Sequence, residues 1–215
     1  MFQKLICFVY INYYYKMNLI STLLSKFTKE KKKEKPSEKS IIRQKIRQKK
    51  GLIADAEKEK QVSLVFEKIE ALPEFINAET IMMYWSMPDE LSTHNFIIKW
   101  SKKKQILLPV VKDDVMLVKP FLSKEELTQG SYGIWEPSVQ NEFVNKIDLV
   151  IVPGIAFDKF KCRLGRGKGY YDRYFMINRI TKIGIGYDFQ LLDRVPTTQT
   201  DIKMDMIITA YRTIS

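Results

Sequence analysis

The sequence predicts a three-layer αβα domain built on a mainly parallel central sheet. Three observations carry this. From about residue 37, helix-like and strand-like segments alternate with short connections, the pattern that produces parallel sheets covered on both faces. Leu149–Val152 is an unbroken apolar run, which reads as a strand buried on both sides. After Pro153-Gly154, that run leads into a glycine- and cation-rich stretch and then a helix. This strand–loop–helix order is typical of α/β ligand sites, which lie at the carboxyl ends of the strands.

The chain has 215 residues, enough for one domain with a sizeable core. Its net charge of +11 belongs entirely to residues 1–50, and the remainder is electrically neutral. A basic arm on a neutral body is a poor footprint for a specific duplex-binding fold, so no specific nucleic acid is expected. Residues 1–24 are apolar and aromatic but are interrupted by Lys16, Asn12 and Asn18, and no small-residue cleavage site follows. No stable membrane span is expected from them, and Met17 is an alternative start. Residues 26–39 are charged, low in complexity and contain Pro36. The organisation expected is therefore a disordered basic extension over 1–36 and a single catalytic domain over 37–215. Cys7 and Cys162 lack metal-ligand spacing and read as free thiols of a reducing, cytoplasmic protein. The single histidine, His94, excludes a His-rich metal site and makes a Ser-His-Asp triad a poor fit. It reads as a surface or helix-start residue.

In chain order, Lys39, Ile42, Arg43, Ile46 and Arg47 recur at helical spacing. On this pattern alone Lys39 and Arg43 form a solvated basic face. A second helix is expected over Ile53–Leu72, with Val62, Val65, Phe66 and Ile69 buried and Pro73 ending it. Thr80–Trp85 reads as a strand followed by the loop S-M-P-D-E-L-S-T. Thr93 is the expected cap of a helix through Lys103. Gln105–Val111 is a strand broken by Pro109, and Asp113-Asp114 turns it into Val115–Pro120. Ser123 and Glu126 have the spacing of a capping box for one helical turn. Tyr132–Pro137 (Y-G-I-W-E-P) reads as an aromatic loop. After the central strand and glycine loop come a helix from Tyr170, a strand at Lys182–Tyr187 and a last strand at Met206–Thr209.

The stretch Arg163–Tyr171 places Gly165, Gly167 and Gly169 at alternate positions among Arg163, Arg166 and Lys168. Glycines let backbone N–H groups turn toward an anion, and a helix N-terminus adds a positive dipole end. The spacing is neither a Walker A loop nor G-x-G-x-x-G, so it specifies anion or nucleotide binding without naming a nucleotide family.

Taken together, V-P-G-I-A-F-D, R-L-G-R-G-K-G-Y-Y-D and P-T-T-Q-T-D-I-K-M-D, with S-M-P-D-E-L-S-T and Y-G-I-W-E-P upstream, resemble the 5-formyltetrahydrofolate cyclo-ligase family over about Lys39–Thr209. The resemblance implies ATP as co-substrate, magnesium (Mg2+), 5-formyltetrahydrofolate as substrate, and a monomer in the cytoplasm. It implies phosphorylation of the formyl oxygen followed by ring closure from N10. The implied ATP-binding residues are Lys39, Ser40, Ile41, Ile42 and Arg43 with Arg163, Leu164, Gly165, Arg166, Gly167, Lys168, Gly169, Tyr170 and Tyr171. Of these, Lys39, Arg163, Arg166, Lys168 and Tyr170 are the implied catalytic groups. Trp85, Glu90 and Trp135, with Arg166–Tyr170, are implied on the folate. Asp172 and Asp201 are implied on magnesium, although Asp172 alone reads equally as a helix-start carboxylate. The loop carries Lys159–Cys162 where the family pattern often has a glycine. Rival readings are a nucleotide or folate binder without turnover, an arm that acts on membranes or nucleic acid, and a sugar-phosphate or CoA enzyme on a similar fold.

Overall fold

The computed structural model describes residues 36–113, 115–130, 133–138 and 146–215. The expectations for the basic arm up to residue 35 and Cys7, and the parts of those above that fall on Asp114 and Tyr132, lie outside the described residues. Within Glu38–Ser215, helices α1 (Glu38–Lys50), α2 (Asp55–Glu70) and α3 (Pro73–Asn77) come first. They lead to β1 (Thr80–Met82), α4 (His94–Trp100), β2 (Gln105–Lys112) and β3 (Val115–Pro120). Next come β4 (Leu127–Gln129), β5 (Trp135–Pro137), β6 (Leu149–Pro153), β7 (Ala156–Asp158) and β8 (Arg163–Leu164). Last are α5 (Tyr170–Ile177), β9 (Thr181–Ile185), β10 (Leu191–Leu192), β11 (Met206–Ile208) and β12 (Thr213–Ile214).

The main sheet has the order β12-β11-β9-β6-β1-β2-β3. Its five inner strands run parallel, and β3 and β12 close the edges antiparallel. Neighbouring parallel strands need a crossover. Helix α4 supplies it between β1 and β2, and α5 supplies it between β6 and β9. Alternation along each strand sorts side chains between two cores. Ile81, Leu149, Ile151 and Ile183 pack with Val65, Ile69, Phe75 and Ile97 of α2, α3 and α4. Met82, Val150, Val152 and Ile207 pack on the other face with Phe157 and with Phe175 of α5. Both faces are covered, which is why β6 at the centre of the sheet lacks polar positions and why three layers result. A smaller sheet, β10-β7-β8, carries α1 through Ile46, Ala156, Cys162 and Leu164.

Five local expectations are corrected. Pro109 does not break its strand, because β2 continues to Lys112 with Pro109 opposite Val118. Pairing with β1 ends at Leu107, so Pro109 has a strand neighbour on one side only, where a missing N–H is tolerated. Ser123–Glu126 does not cap a helix; Leu127 N–H closes a turn on the Lys124 carbonyl at 3.2 Å and enters β4. Trp135–Pro137 is a strand paired with β4 rather than a loop. Thr93 stands at the start of α4, but its hydroxyl bonds the Tyr84 carbonyl at 2.6 Å, tying helix to strand end instead of capping. Pro73 does more than end α2: it opens α3 at the position where its fixed φ and missing N–H cost nothing.

Candidate functional site

Strand β1 sends its crossover to one side of the sheet and β6 sends its crossover to the other. Their carboxyl ends therefore flank a crevice, the place where open α/β sheets bind ligands. A cleft of about 850 Å³ lies there. One set of lining residues is basic and glycine-rich: Lys39 and Arg43 from α1, Arg163 to Gly169, and the start of α5. The other is largely apolar and aromatic, with Tyr84, Trp85, Pro109, Val111 and Trp135, and carries Glu90 and Glu136.

The loop itself is shorter than the sequence suggests, since Arg163 and Leu164 sit on β8, antiparallel to β7. What remains, Gly165–Gly169, needs its glycines. Gly167 and Gly169 have φ of +105° and +69°, which side chains of L-residues rarely adopt, and Gly169 delivers the chain into α5. Arg43 braces this loop, its Nε donating to the Gly165 carbonyl at 3.0 Å. Of the five α1 residues expected on the nucleotide, Lys39 and Arg43 reach the cleft. Ser40, Ile41 and Ile42 are not among its lining residues, and Ile42 packs instead on the β7–β8 cluster.

Arg163 is buried. Its Nη2 donates to Asp172 Oδ2 at 2.9 Å, its Nη1 approaches the Pro153 carbonyl, and its guanidinium lies 5.3 Å from the Tyr171 ring centre. Asp172 Oδ1 accepts the Ile202 N–H at 3.1 Å. Both Asp172 oxygens are thus committed. Two buried side-chain polar atoms among the described residues have no partner, Arg163 Nε and the Tyr171 hydroxyl, and both residues line the cleft. Burial drives the Tyr171 phenol far above its ordinary range, assisted by Glu90, so it stays a neutral donor. Tyr170 differs: its hydroxyl donates to the Asp113 carbonyl at 3.1 Å and Arg173 stacks on its ring.

Arg166 bridges the glycine loop to the S-M-P-D-E loop. Its guanidinium bonds Asp89 and reaches Glu90 Oε1 at 3.0 Å, while Glu90 Oε2 accepts the Met87 N–H at 3.0 Å. Lys50 completes the clasp from α1 through Asp89; burial lowers its pKa, opposed by Asp89. The sequence reading does not single out Asp89 or Lys50, because a contact of Arg166 with acidic residues 76 and 77 positions away leaves no local signal. On α1, Lys39 pairs with Asp201 Oδ2 at 2.6 Å, and the same oxygen accepts the Thr198 N–H.

Trp85 is buried, stacked on His94 at 4.1 Å and on Phe121 at 5.6 Å. His94 opens α4, as one of its two readings had it, and is half-buried rather than on the surface, with Nε2 2.9 Å from the Ser86 carbonyl and a pKa lowered by burial. Trp135 is 48% exposed and stands, with Trp85 and Glu90, between this cleft and a second one of about 1560 Å³. Among the described residues no three His, Cys, Asp or Glu side chains converge as a metal site. Asp172 does not fit a directly coordinating role while Arg163 and Ile202 hold it. Asp201 fits as a single carboxylate beside bound phosphates, an arrangement magnesium accepts. No described helix is long and apolar enough to cross a membrane.

Comparison with known proteins bears on this cleft. A sequence model of the 5-formyltetrahydrofolate cyclo-ligase family matches residues 35–210. The 5-formyltetrahydrofolate cyclo-ligase of Haemophilus influenzae is 33% identical over 137 residues, covering 59% of this chain and 73% of that protein. The NMR structure of Aquifex aeolicus 5,10-methenyltetrahydrofolate synthetase superposes with a TM-score of 0.74 at 31% identity, covering 81% of this chain and 91% of that one. The Mycoplasma pneumoniae 5,10-methenyltetrahydrofolate synthetase gives 0.66 at 28% identity, covering 81% of this chain and 99% of that one.

Proposed function

The chain belongs to the 5-formyltetrahydrofolate cyclo-ligase family, and from that premise we propose that it uses ATP to close 5-formyltetrahydrofolate into 5,10-methenyltetrahydrofolate, releasing ADP and phosphate. The observation that carries this reading is one cleft that joins a basic glycine loop to an aromatic set at the sheet's switch point.

A formamide oxygen is a poor leaving group. Transfer of the γ-phosphoryl group to it makes it a good one. The N10 lone pair then attacks the formyl carbon, the carbon–oxygen bond breaks, phosphate departs and N10 loses its proton. No side-chain nucleophile is needed. The protein's work is to align two substrates and balance charge. Backbone N–H groups of Gly165–Gly169 and the N-terminus of α5 face the polyphosphate. Lys39, Arg166 and Lys168 supply cations. Arg163 Nε and the Tyr171 hydroxyl, which lack partners among the described residues, supply donors to substrate oxygens. Magnesium, held by Asp201 and by phosphate oxygens, would neutralise charge on the transferring group. Asp172 acts by holding Arg163 in place. Trp135 offers an exposed ring to the folate, whereas Trp85 is a buried support for it.

The test is appearance of the methenyl chromophore on mixing the protein with 5-formyltetrahydrofolate, ATP and magnesium. Turnover that requires ATP and falls at least 100-fold in Lys168→Met is expected, an effect of the size seen when one charge-stabilising group is removed. A folded protein that binds ATP but gives no chromophore would refute the reading.

A further inference from the structure

Asp158 is a carboxylate that the reaction above leaves unused, and it is wholly enclosed, with 0% of its surface exposed. It ends β7, at the turn into β8. Its Oδ1 accepts the Phe160 and Cys162 N–H groups, both at 2.9 Å, and its Oδ2 accepts the Val195 N–H at 2.8 Å. A carboxylate withdrawn from water is stable only where donors surround it, and three backbone donors meet that need here. The turn is a demanding one. Lys161 stands at φ 65°, the left-handed region that is costly for a residue with a Cβ, and its N–H donates to the Asp158 carbonyl at 3.0 Å.

The outer contacts of this turn fall on one segment of chain. Val195 meets the carboxylate, and the Met204 N–H donates to the Lys161 carbonyl at 2.9 Å. Residues 195 and 204 are therefore pinned to the same turn, and the chain between them carries Thr200 and Asp201 to the cleft. The same excursion supplies the Ile202 N–H that bonds Asp172, the partner of Arg163. Arg163 itself directly follows Cys162, the last residue of the turn.

We propose that Asp158 is a positioning residue for the phosphate end of the cleft: it fixes the β7–β8 turn on which the 195–204 excursion is pinned, and so sets Arg163 and Asp201 relative to each other. This rests on the cyclo-ligase reading. Asp158 touches no substrate and acts through geometry alone. Arg163 leaves one side of the turn, the Asp201 excursion is tied to the other, and the carboxylate is common to both. Phosphoryl transfer rests on such placement, because the charged groups must meet the transferring oxygens without rearranging.

The experiment uses Asp158→Asn, which keeps an oxygen for Phe160 and Cys162 but turns an N–H toward the Val195 N–H. In the unliganded variant, backbone hydrogen exchange at Thr198 and Ile202, whose N–H groups bond Asp201 and Asp172, should quicken at least roughly tenfold. The Kd for ATP with magnesium, by titration calorimetry, should rise roughly 10- to 100-fold, the worth of a misplaced hydrogen bond to a charged group. The Kd for 5-formyltetrahydrofolate without ATP should stay within about twofold of wild type, since that ligand's end of the cleft is held by other contacts. Adding Lys161→Gly separates position from stability. Glycine takes φ 65° without strain and should recover a few degrees of Tm, but it cannot restore the Val195 contact and should leave the Kd for ATP raised. If the single variant folds poorly, this double variant carries the same comparison. Unchanged exchange or ATP affinity in the folded variant overturns the assignment. So does an equal rise in both Kd values, or an ATP affinity that Lys161→Gly restores together with Tm. A wild type that binds ATP but never forms the methenyl chromophore removes the cyclo-ligase reading, and the functional part of this inference with it, whereas the exchange comparison needs no turnover.

Discussion

Replacing Asp172 with asparagine separates two roles for that residue. If it holds Arg163, the loss is structural and needs no metal. The pair is nearly enclosed, with side-chain exposures of 5% for Arg163 and 17% for Asp172. Removing one charge from a buried pair costs about 3–5 kcal/mol when nothing replaces it. Asparagine keeps an oxygen that can still accept from either Arg163 or Ile202, which returns about 1 kcal/mol for a neutral hydrogen bond. A loss of about 2–4 kcal/mol is therefore expected, and for a domain of this size a fall in Tm of roughly 4–16 °C. Urea unfolding of wild type and variant, with and without magnesium, measures it. The same variant should raise the KM for ATP, because Arg163 and its Nε move. An Asp172→Asn protein as stable as wild type, yet needing far more magnesium for turnover, would refute the anchoring argument and return Asp172 to the metal.

Arg166→Ala opens the clasp between the two loops. Its partners are partly exposed, so stability should change by no more than about 1 kcal/mol, while steady-state kinetics should show a KM for 5-formyltetrahydrofolate changed by at least tenfold. Gly184→Ala puts a Cβ 2.5 Å from the buried Phe157 ring, and overpacking of that kind should lower urea stability by about 1–3 kcal/mol. Burial depresses the His94 pKa below its ordinary 6.5, so the unfolded chain takes up that proton first. The stability contributed by the neutral ring is complete above pH 6.5 and is lost as pH falls; His94→Phe, which keeps the stack on Trp85, should flatten Tm against pH in that range. Burial raises the Asp201 pKa, but Lys39 and Thr198 outweigh it and the net shift is downward from 3.8. The Lys39 pair therefore stabilises at neutral pH and is lost as pH falls below that value, so Lys39→Met and wild type should converge in Tm under strong acid.

The fold class was legible because burial on both faces leaves its mark on composition: Leu149–Val152, short, unbroken and stopped by Pro153-Gly154, has the pattern of a central strand. The seven-strand order was not, since register is fixed by pairings between residues far apart in sequence. Pro109 misled for a related reason. Whether a strand tolerates proline depends on its neighbours, and β1 stops pairing two residues earlier. Within the site, the glycine loop was readable because φ above zero at Gly167 and Gly169 demands one residue type. Glu136 was hidden in an aromatic-looking stretch. On that strand Trp135 is exposed and Glu136 buried, and three residues are too few for the strand to be recognised from sequence.

The charges of the cleft are arranged in cross-strut pairs: Lys39 with Asp201, Arg163 with Asp172, Arg166 with Asp89 and Glu90. Lys39–Asp201 and the Arg166 pairs join elements distant in sequence and Arg163–Asp172 joins β8 to the start of α5, so together they hold α1, the glycine loop, α5 and the S-M-P-D-E loop in register without substrate. They differ in how they can answer an arriving polyphosphate. Arg163 is fixed by burial, and its Nε, without a partner among the described residues, is left to donate. Arg166 is 41% exposed at the side chain and can exchange carboxylates for phosphate oxygens at little cost in stability. Such an exchange would free Glu90 and Asp89 and loosen the folate-side loop as the nucleotide binds. Coupling between the two substrates then follows from electrostatics alone, and by linkage it must be reciprocal. ATP should change the Kd for 5-formyltetrahydrofolate by the same factor as 5-formyltetrahydrofolate changes the Kd for ATP. In Arg166→Ala, where no carboxylate is held to begin with, that factor should fall toward one; coupling that survives the substitution would mean the clasp does not carry it.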